Sequence, residues 1–258
     1  MTYCLSLLCK QGIVFLADSR TSAGVDNITI HSKMRVFSDD GHRVICLMSS
    51  GNLSLTQTVM ALIEEDMLRG KAEQDVSHLL NQPTMYETAR YVGTKIREVE
   101  KIDGAALESD GFRFNINILV GGQIAGLPHQ IYLVYPQGNS IHADTDSPFL
   151  QIGEFKYGKP ILDRGFTYDT DLGEALKFGV LSLESTMKSN VSVGTPFDIF
   201  CYERDSLAVK FRYRMHDTDS HLQEVRTKWQ NGLIELVGKM PILQFPGMDR
   251  QPGEGMDQ

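Results

Sequence analysis

Thr2 has the most chemistry to offer, because it directly follows Met1. Threonine is small enough for a methionine aminopeptidase to remove Met1, which would leave Thr2 as a free N-terminus. One residue would then carry a nucleophilic hydroxyl and a base, its own α-amine. A free α-amine has a pKa of about 7.7–8, so part of it is neutral near pH 7 and can accept the hydroxyl proton. Threonine paired with its own terminal amine is an activated nucleophile. Many chains begin Met-Thr, so further residues must join it. Lys33 could place a positive charge beside Thr2, favouring the alkoxide and lowering the pKa of the amine, and Asp18 could hold that lysine in place and charged. Taken singly, Asp18 is an ordinary turn former at a strand end. Lys33 alone is a charge on a solvated strand edge.

The elements that must position these residues are legible. Thr2–Cys9 and Gly12–Asp18 are apolar runs flanking a polar break at Lys10-Gln11, the pattern of a β-hairpin. With the turn centred between Lys10 and Gln11, paired residue numbers sum to 21. Residue 18 then lies opposite residue 3, and register alone delivers the Asp18 carboxylate beside Thr2. Lys33 lies in Ile28–Phe37, among strand-forming residues.

Thr2, the segment from Gly12 through Asp18-Ser19-Arg20-Thr21, the nearby Ala23-Gly24, and Lys33 before an apolar strand together resemble a 20S proteasome β-subunit. The resemblance runs through most of the chain and is nearest to the bacterial Anbu group of proteasome-type proteases. It implies catalytic Thr2, Asp18 and Lys33. It also implies an accessory shell of Arg20, of Ser50 and Gly51 in a small-residue turn supplying an oxyanion-hole amide, and of Glu154 where the family pattern has a serine. Ser189 and Ser192 would lie in a loop buttressing the terminal threonine, with Ser189 where an aspartate is usual. The Asp18-to-Lys33 spacing is one residue shorter than in proteasomal β-subunits. The implied fold is α+β, a four-layer αββα sandwich of the N-terminal-nucleophile hydrolase type.

Composition agrees with one soluble domain. A chain of 258 residues can bury about three quarters of the surface it would expose unfolded. Hydrophobic residues make up 41% and charged residues 22%, ordinary for a globular protein. No apolar run approaches the roughly 20 residues needed to span a bilayer, and no charged-then-apolar leader is visible, so no membrane partner and a cytoplasmic location are expected. The net charge of −8 argues against nucleic acid as a partner. Cys4, Cys9, Cys46 and Cys201 lie in expected strands without Cys-x-x-Cys spacing, so buried free thiols are expected. No histidine pair has ligand spacing, and neither a metal nor another cofactor is expected.

Strands are expected near 3–9, 12–18, 34–37 and 43–49. A helix follows over roughly 52–69, with Leu55, Val59, Ile63 and Met67 inward and Gly70 as its stop. A second helix follows Pro83, with Thr84–Glu87 as a capping box and Met85, Ala89, Val92, Ile96 and Val99 inward. Phe112, Phe114, Ile116, Ile118 and Val120 alternate as in a half-buried strand, paired with Gln130–Tyr135. Asp171 caps a third helix, with Leu172, Ala175, Leu176, Gly179, Val180, Leu183 and Met187 inward. Strands at 197–202 and 207–213 close a main domain of residues 1–215. Residues 216–258 form an extension, with an amphipathic helix over His221–Val237 and a Pro/Gly-rich tail.

Three functions fit these residues: a threonine peptidase inside a self-assembled ring or open spiral, a proteasome-like scaffold with little activity, and a small-amide amidase. The absence of a segment before the first strand favours the peptidase over the scaffold. The Asp-Ser-Arg and Lys pattern favours it over the amidase. The substrate would be unfolded polypeptide or peptide. No Gly-x-x-x-x-Gly-Lys-Ser/Thr motif is present, so any unfolding energy would come from a separate ATPase.

Overall fold

The computed structural model describes residues 2–22, 28–73 and 75–245. β1 (Tyr3–Cys9) and β2 (Gly12–Asp18) form the expected hairpin, and every residue in both strands is buried. Cys4 pairs with Ala17 and Cys9 with Gly12, the register in which numbers sum to 21. A short ribbon follows, β3 (Arg20–Ser22) against β4 (Ile28–Ile30), with Arg20 opposite Ile30. Ala23-Gly24 lies outside the described residues.

β5 (Met34–Asp39), β6 (Arg43–Gly51), helix α1 (Leu53–Ala72), a 3-10 turn at Leu79–Asn81 and helix α2 (Met85–Ser109) come next. They are followed by β7 (Ile116–Ile124), β8 (Gln130–Val134), β9 (Ser140–His142) and β10 (Phe149–Gly153). Helices α3 (Lys159–Gly165) and α4 (Leu172–Ser189), strands β11 (Phe197–Glu203) and β12 (Phe211–Met215), and helix α5 (Ser220–Gly238) complete the described chain. Two five-stranded antiparallel sheets result, ordered β10-β1-β2-β11-β12 and β5-β6-β7-β8-β9.

Side chains alternate across a strand, and both strands of the β1–β2 hairpin use both faces. Leu5, Leu7, Val14 and Leu16 meet Ala175, Val180 and Leu183 of α4. Cys4, Ile13, Phe15 and Ala17 turn the other way and meet Val44, Cys46 and Met48 of the second sheet. The opposite face of that sheet carries Ile45 and Leu47, covered by Leu55, Val59 and Ile63 of α1 and by Met85, Ala89, Val92, Ile96 and Val99 of α2. Between the sheets the Phe15 ring stacks on Phe200 at 5.5 Å. Gly121 makes room for it: a Cβ there would lie 2.6 Å from Phe15 Cε1 and 2.8 Å from Ile131 Cγ2.

Side-chain caps start the long helices. Asn52 accepts from the Ser54 amide, Thr84 from Glu87, Asp171 from Glu174 and Asp219 from His221, each satisfying an otherwise unpaired first-turn N–H.

Three boundaries differ from the sequence expectation. Gly70 does not stop α1, which runs to Ala72; its missing side chain admits the His78 ring, whose Nε2 would lie 2.9 Å from a Cβ. Phe112 and Phe114 precede β7. Gly111, at φ +79, closes α2, with its amide bonded to Glu108 and that of Phe112 to Leu107, and this C-terminal cap consumes the segment. The last strand begins at Phe211 and not at 207, because Asp205 and Leu207 have positive φ in a turn that no extended strand can contain.

Candidate active site

The hairpin register sets the site. Tyr3 N donates to Asp18 Oδ1 at 2.9 Å, so the carboxylate reaches back across the ladder to the first residue of β1. The chain then leaves β2 through Ser19, whose hydroxyl donates to the Pro196 carbonyl at 2.6 Å. The ribbon returns it, with His31 N bonded to the Ser19 carbonyl at 2.9 Å. This return brings Lys33 back beside Asp18: Lys33 Nζ donates to Asp18 Oδ1 at 2.6 Å and to the Arg20 carbonyl at 2.7 Å. Lys33 therefore occupies a connection ahead of β5, not a strand.

Asp18 is fully buried and Lys33 nearly so. Gly194 N approaches Asp18 Oδ2 at 3.4 Å. Burial pushes the Asp18 carboxyl up from its ordinary range, opposed first by the Lys33 charge and then by the bonds from Lys33, Tyr3 and Gly194. A buried pair of this kind is held by geometry and by satisfied hydrogen bonds more than by Coulomb attraction alone.

Thr2 and Lys33 line one cavity of 340 Å³. Ser49, Ser50 and Gly51 at the end of β6, and Leu53, Thr56 and Met60 of α1, form the facing wall. The N-terminal turn of α1 opens onto it, a place where backbone N–H groups and the helix dipole favour negative charge. Gly51 has φ +115, and a Cβ there would lie 2.9 Å from the Asn115 carbonyl carbon. Only glycine accepts that conformation without strain.

Thr2 is fixed from the other side as well. Its carbonyl accepts from Glu154 N at 2.8 Å. Gly153, at φ +85, brings the end of β10 against it, and a Cβ there would lie 2.6 Å from the Thr2 carbonyl carbon. Thus Glu154 supports Thr2 through its amide, while its carboxylate faces Lys156 at 4.0 Å. Arg20 stands behind the site: its Nη1 donates to the Val191 carbonyl at 2.8 Å, and its guanidinium covers Gly194. Ser192 lies in that same 190–194 loop, its amide bonded to Asn190 Oδ1. Ser189, the last residue of α4, lines a groove against α5 and not the Thr2 cavity.

The structure thus gathers Thr2, Lys33, Ser50 and Gly51 around one cavity. Asp18, Arg20 and Ser192 lie behind it, Glu154 lies beside Thr2, and Ser189 stands apart. Gly194 and the Arg20 carbonyl act through backbone atoms, which residue types do not advertise. Thr21 also lines the cavity; its hydroxyl is buried without a partner among the described residues.

No protein-family model and no curated protein matches the chain. Solved structures do. One titled as an Anbu Gly-1 mutant from Hyphomicrobium sp. strain MC1 is 41% identical, with a TM-score of 0.87 over 95% of this chain and 100% of that one. Anbu from Yersinia bercovieri, titled an ancestral β-subunit, is 38% identical with a TM-score of 0.87, over 94% and 99%. A structure titled as the helical assembly of the Anbu complex from Pseudomonas aeruginosa is 39% identical with a TM-score of 0.89, over 95% and 100%. Fold and site together define a protein of the proteasome-like β-subunit class. Within that class, the chain belongs to the Anbu family.

Proposed function

We propose that the protein is a threonine peptidase of proteasome type, with Thr2 as nucleophile once Met1 is removed. The observation that carries this reading is the buried Lys33–Asp18 pair, anchored to Tyr3 N and opening onto the cavity that Thr2 lines. In the reaction the Thr2 amine takes the hydroxyl proton and Oγ1 attacks the peptide carbonyl. The resulting oxyanion is met by backbone N–H at Ser50-Gly51, the departing amine takes the proton, and the acyl ester on Thr2 is released by water. Lys33 favours the alkoxide, and Asp18 positions Lys33. Arg20, Glu154 and Ser192 hold the surrounding backbone.

The three apolar clusters, two helix-covered and one between sheets, support a four-layer αββα sandwich of the N-terminal-nucleophile hydrolase type over residues 1–215. Residues 216–258 are the extension. Its helix α5 is seated by Leu222, fully buried in the α4 cluster, while Ile234 and Val237 are exposed at 66% and 69%. An exposed apolar helix face suits a large homo-oligomer, and the helical assembly named for the Pseudomonas aeruginosa relative supports an open spiral here. Substrates would be unfolded chains or peptides, with unfolding by a separate ATPase. Among the described residues no helix is long and apolar enough to cross a membrane.

Intact mass is expected to show Met1 absent, and Thr2→Ala to remove turnover of fluorogenic peptides while leaving circular dichroism and sedimentation unchanged. Undiminished turnover by Thr2→Ala would overturn the assignment.

A further inference from the structure

A second cavity, of 460 Å³, opens between the edge strands of the two sheets, β5 and β12. Ser32 and Arg35 line both it and the Thr2 cavity, so the two share a wall. On β12, Arg212 stands opposite Phe200 and Arg214 opposite Asp198. Phe200 belongs to the cluster between the sheets, and residues two apart share a strand face. Both arginines therefore face the slot. The Arg212 charge is felt at the buried Cys46 thiol, where it opposes the upward push of burial.

Charge in this slot is unbalanced. Among the described residues Asp198 is its one carboxylate and is already engaged, by Ser32 Oγ at 2.8 Å and Arg214 Nη1 at 3.5 Å. Arg35 and Arg212 have no carboxylate partner among the described residues. Arg35, Arg212 and Arg214 thus line a slot that holds one carboxylate among the described residues, in a chain whose net charge is −8. Guanidinium matches a carboxylate with two parallel N–H donors, which makes such an unpaired cluster a carboxylate receptor.

We propose that this slot is an extended subsite for an acidic side chain of the polypeptide whose scissile bond lies at Thr2, with Arg212 and Arg35 as its ligands. The proposal rests on the peptidase reading for the identity of the ligand, but binding can be measured without turnover. Peptide-binding anisotropy on the full-length Thr2→Ala protein would use fluorescein-labelled neutral peptides with Glu or Gln placed at each position in turn. Glu at one position should bind about tenfold more tightly than Gln, a difference typical of one charge-assisted pair. The preference should shrink in 0.5 M salt by screening, vanish in Arg212→Gln and survive largely in Arg212→Lys. Wild-type turnover is assayed separately, so failure of the peptidase reading would show there and not here. A Glu/Gln ratio of one at every position, or a preference that Arg212→Gln leaves intact, would overturn the proposal. So would a ratio of one accompanied by altered sedimentation of Arg212→Gln, which would assign the slot to a neighbouring copy.

Discussion

Replacing Lys33 by methionine should destabilise the protein in a way that depends on pH. Lys33→Met keeps most of the side-chain volume but leaves Asp18 fully buried with only the Tyr3 and Gly194 amides as partners among the described residues. Breaking a buried pair from one side costs about 3–5 kcal/mol, against a typical total stability of about 5–15 kcal/mol. A chain of this length loses about 2–4 °C of melting temperature per kcal/mol, so the drop should be on the order of 10 °C. The carboxyl can escape the penalty by taking up a proton. Burial already raises its pKa, and the variant lacks the charge that most opposes the rise. The native state then holds a proton that the unfolded state gives up near pH 4, so stability falls as pH climbs through the native pKa. The gap between variant and wild type should be narrow at pH 5 and full at pH 8. Urea denaturation at fixed protomer concentration, at both pH values, measures it. Adding Asp18→Asn should restore part of the loss at pH 8, because no charge remains buried, while activity stays absent in all three variants. Equal gaps at the two pH values, or a double variant at the sum of its singles, would refute this account of the pair.

Gly153→Ala should reduce activity by about a hundredfold, the cost of misplacing a reacting group by about an ångström, while removing only about 1–3 kcal/mol of stability from a left-handed backbone and a weakened Glu154 bond; parallel turnover and melting assays separate the two. His129 donates from Nε2 to the Cys9 carbonyl at 2.7 Å, its Nδ1 is buried without a partner among the described residues, and burial lowers its pKa. The unfolded state therefore takes up the proton first as pH falls below about 6.5, and stability is lost in that window. His129→Gln should flatten the stability profile between pH 6.5 and 5, as read by denaturant midpoints. Tyr3→Phe should cost about 1–3 kcal/mol, because the phenol bridges Ser182 and Gln151 in a fully buried site.

The hairpin was legible in the sequence because its two strands are continuous apolar runs around a two-residue break, and that register alone placed Asp18. The stripes of α1, α2 and α4 were legible for a similar reason, since helical spacing marks the buried face. β10 and α3 were not read from periodicity. β10 is short, and its pairing with β1 joins residues far apart in sequence, so no local signal announces it. Gly70 misled because a glycine admitting a neighbouring ring looks, in sequence, like one ending a helix. In the site, the resemblance supplied Glu154, whose backbone and not its carboxylate touches Thr2. The ribbon that returns Lys33 was missed, being two three-residue strands that define themselves only by pairing.

Thr2 and Asp18 arrive on the first sheet, whereas Lys33, Ser50 and Gly51 are carried at the margin of the second. The proposed reactive centre is therefore a seam between two slabs, and its tolerance is set by how closely they are clamped. Gly121, with the Phe15 ring lying where a side chain would be, is the spacer that fixes that clearance from deep inside. A bulkier residue there would widen the gap and draw the two halves of the centre apart at a distance. Repacking of this interior should thus register in turnover before it registers in melting temperature, making the middle of the sandwich a dial on the chemistry at its mouth.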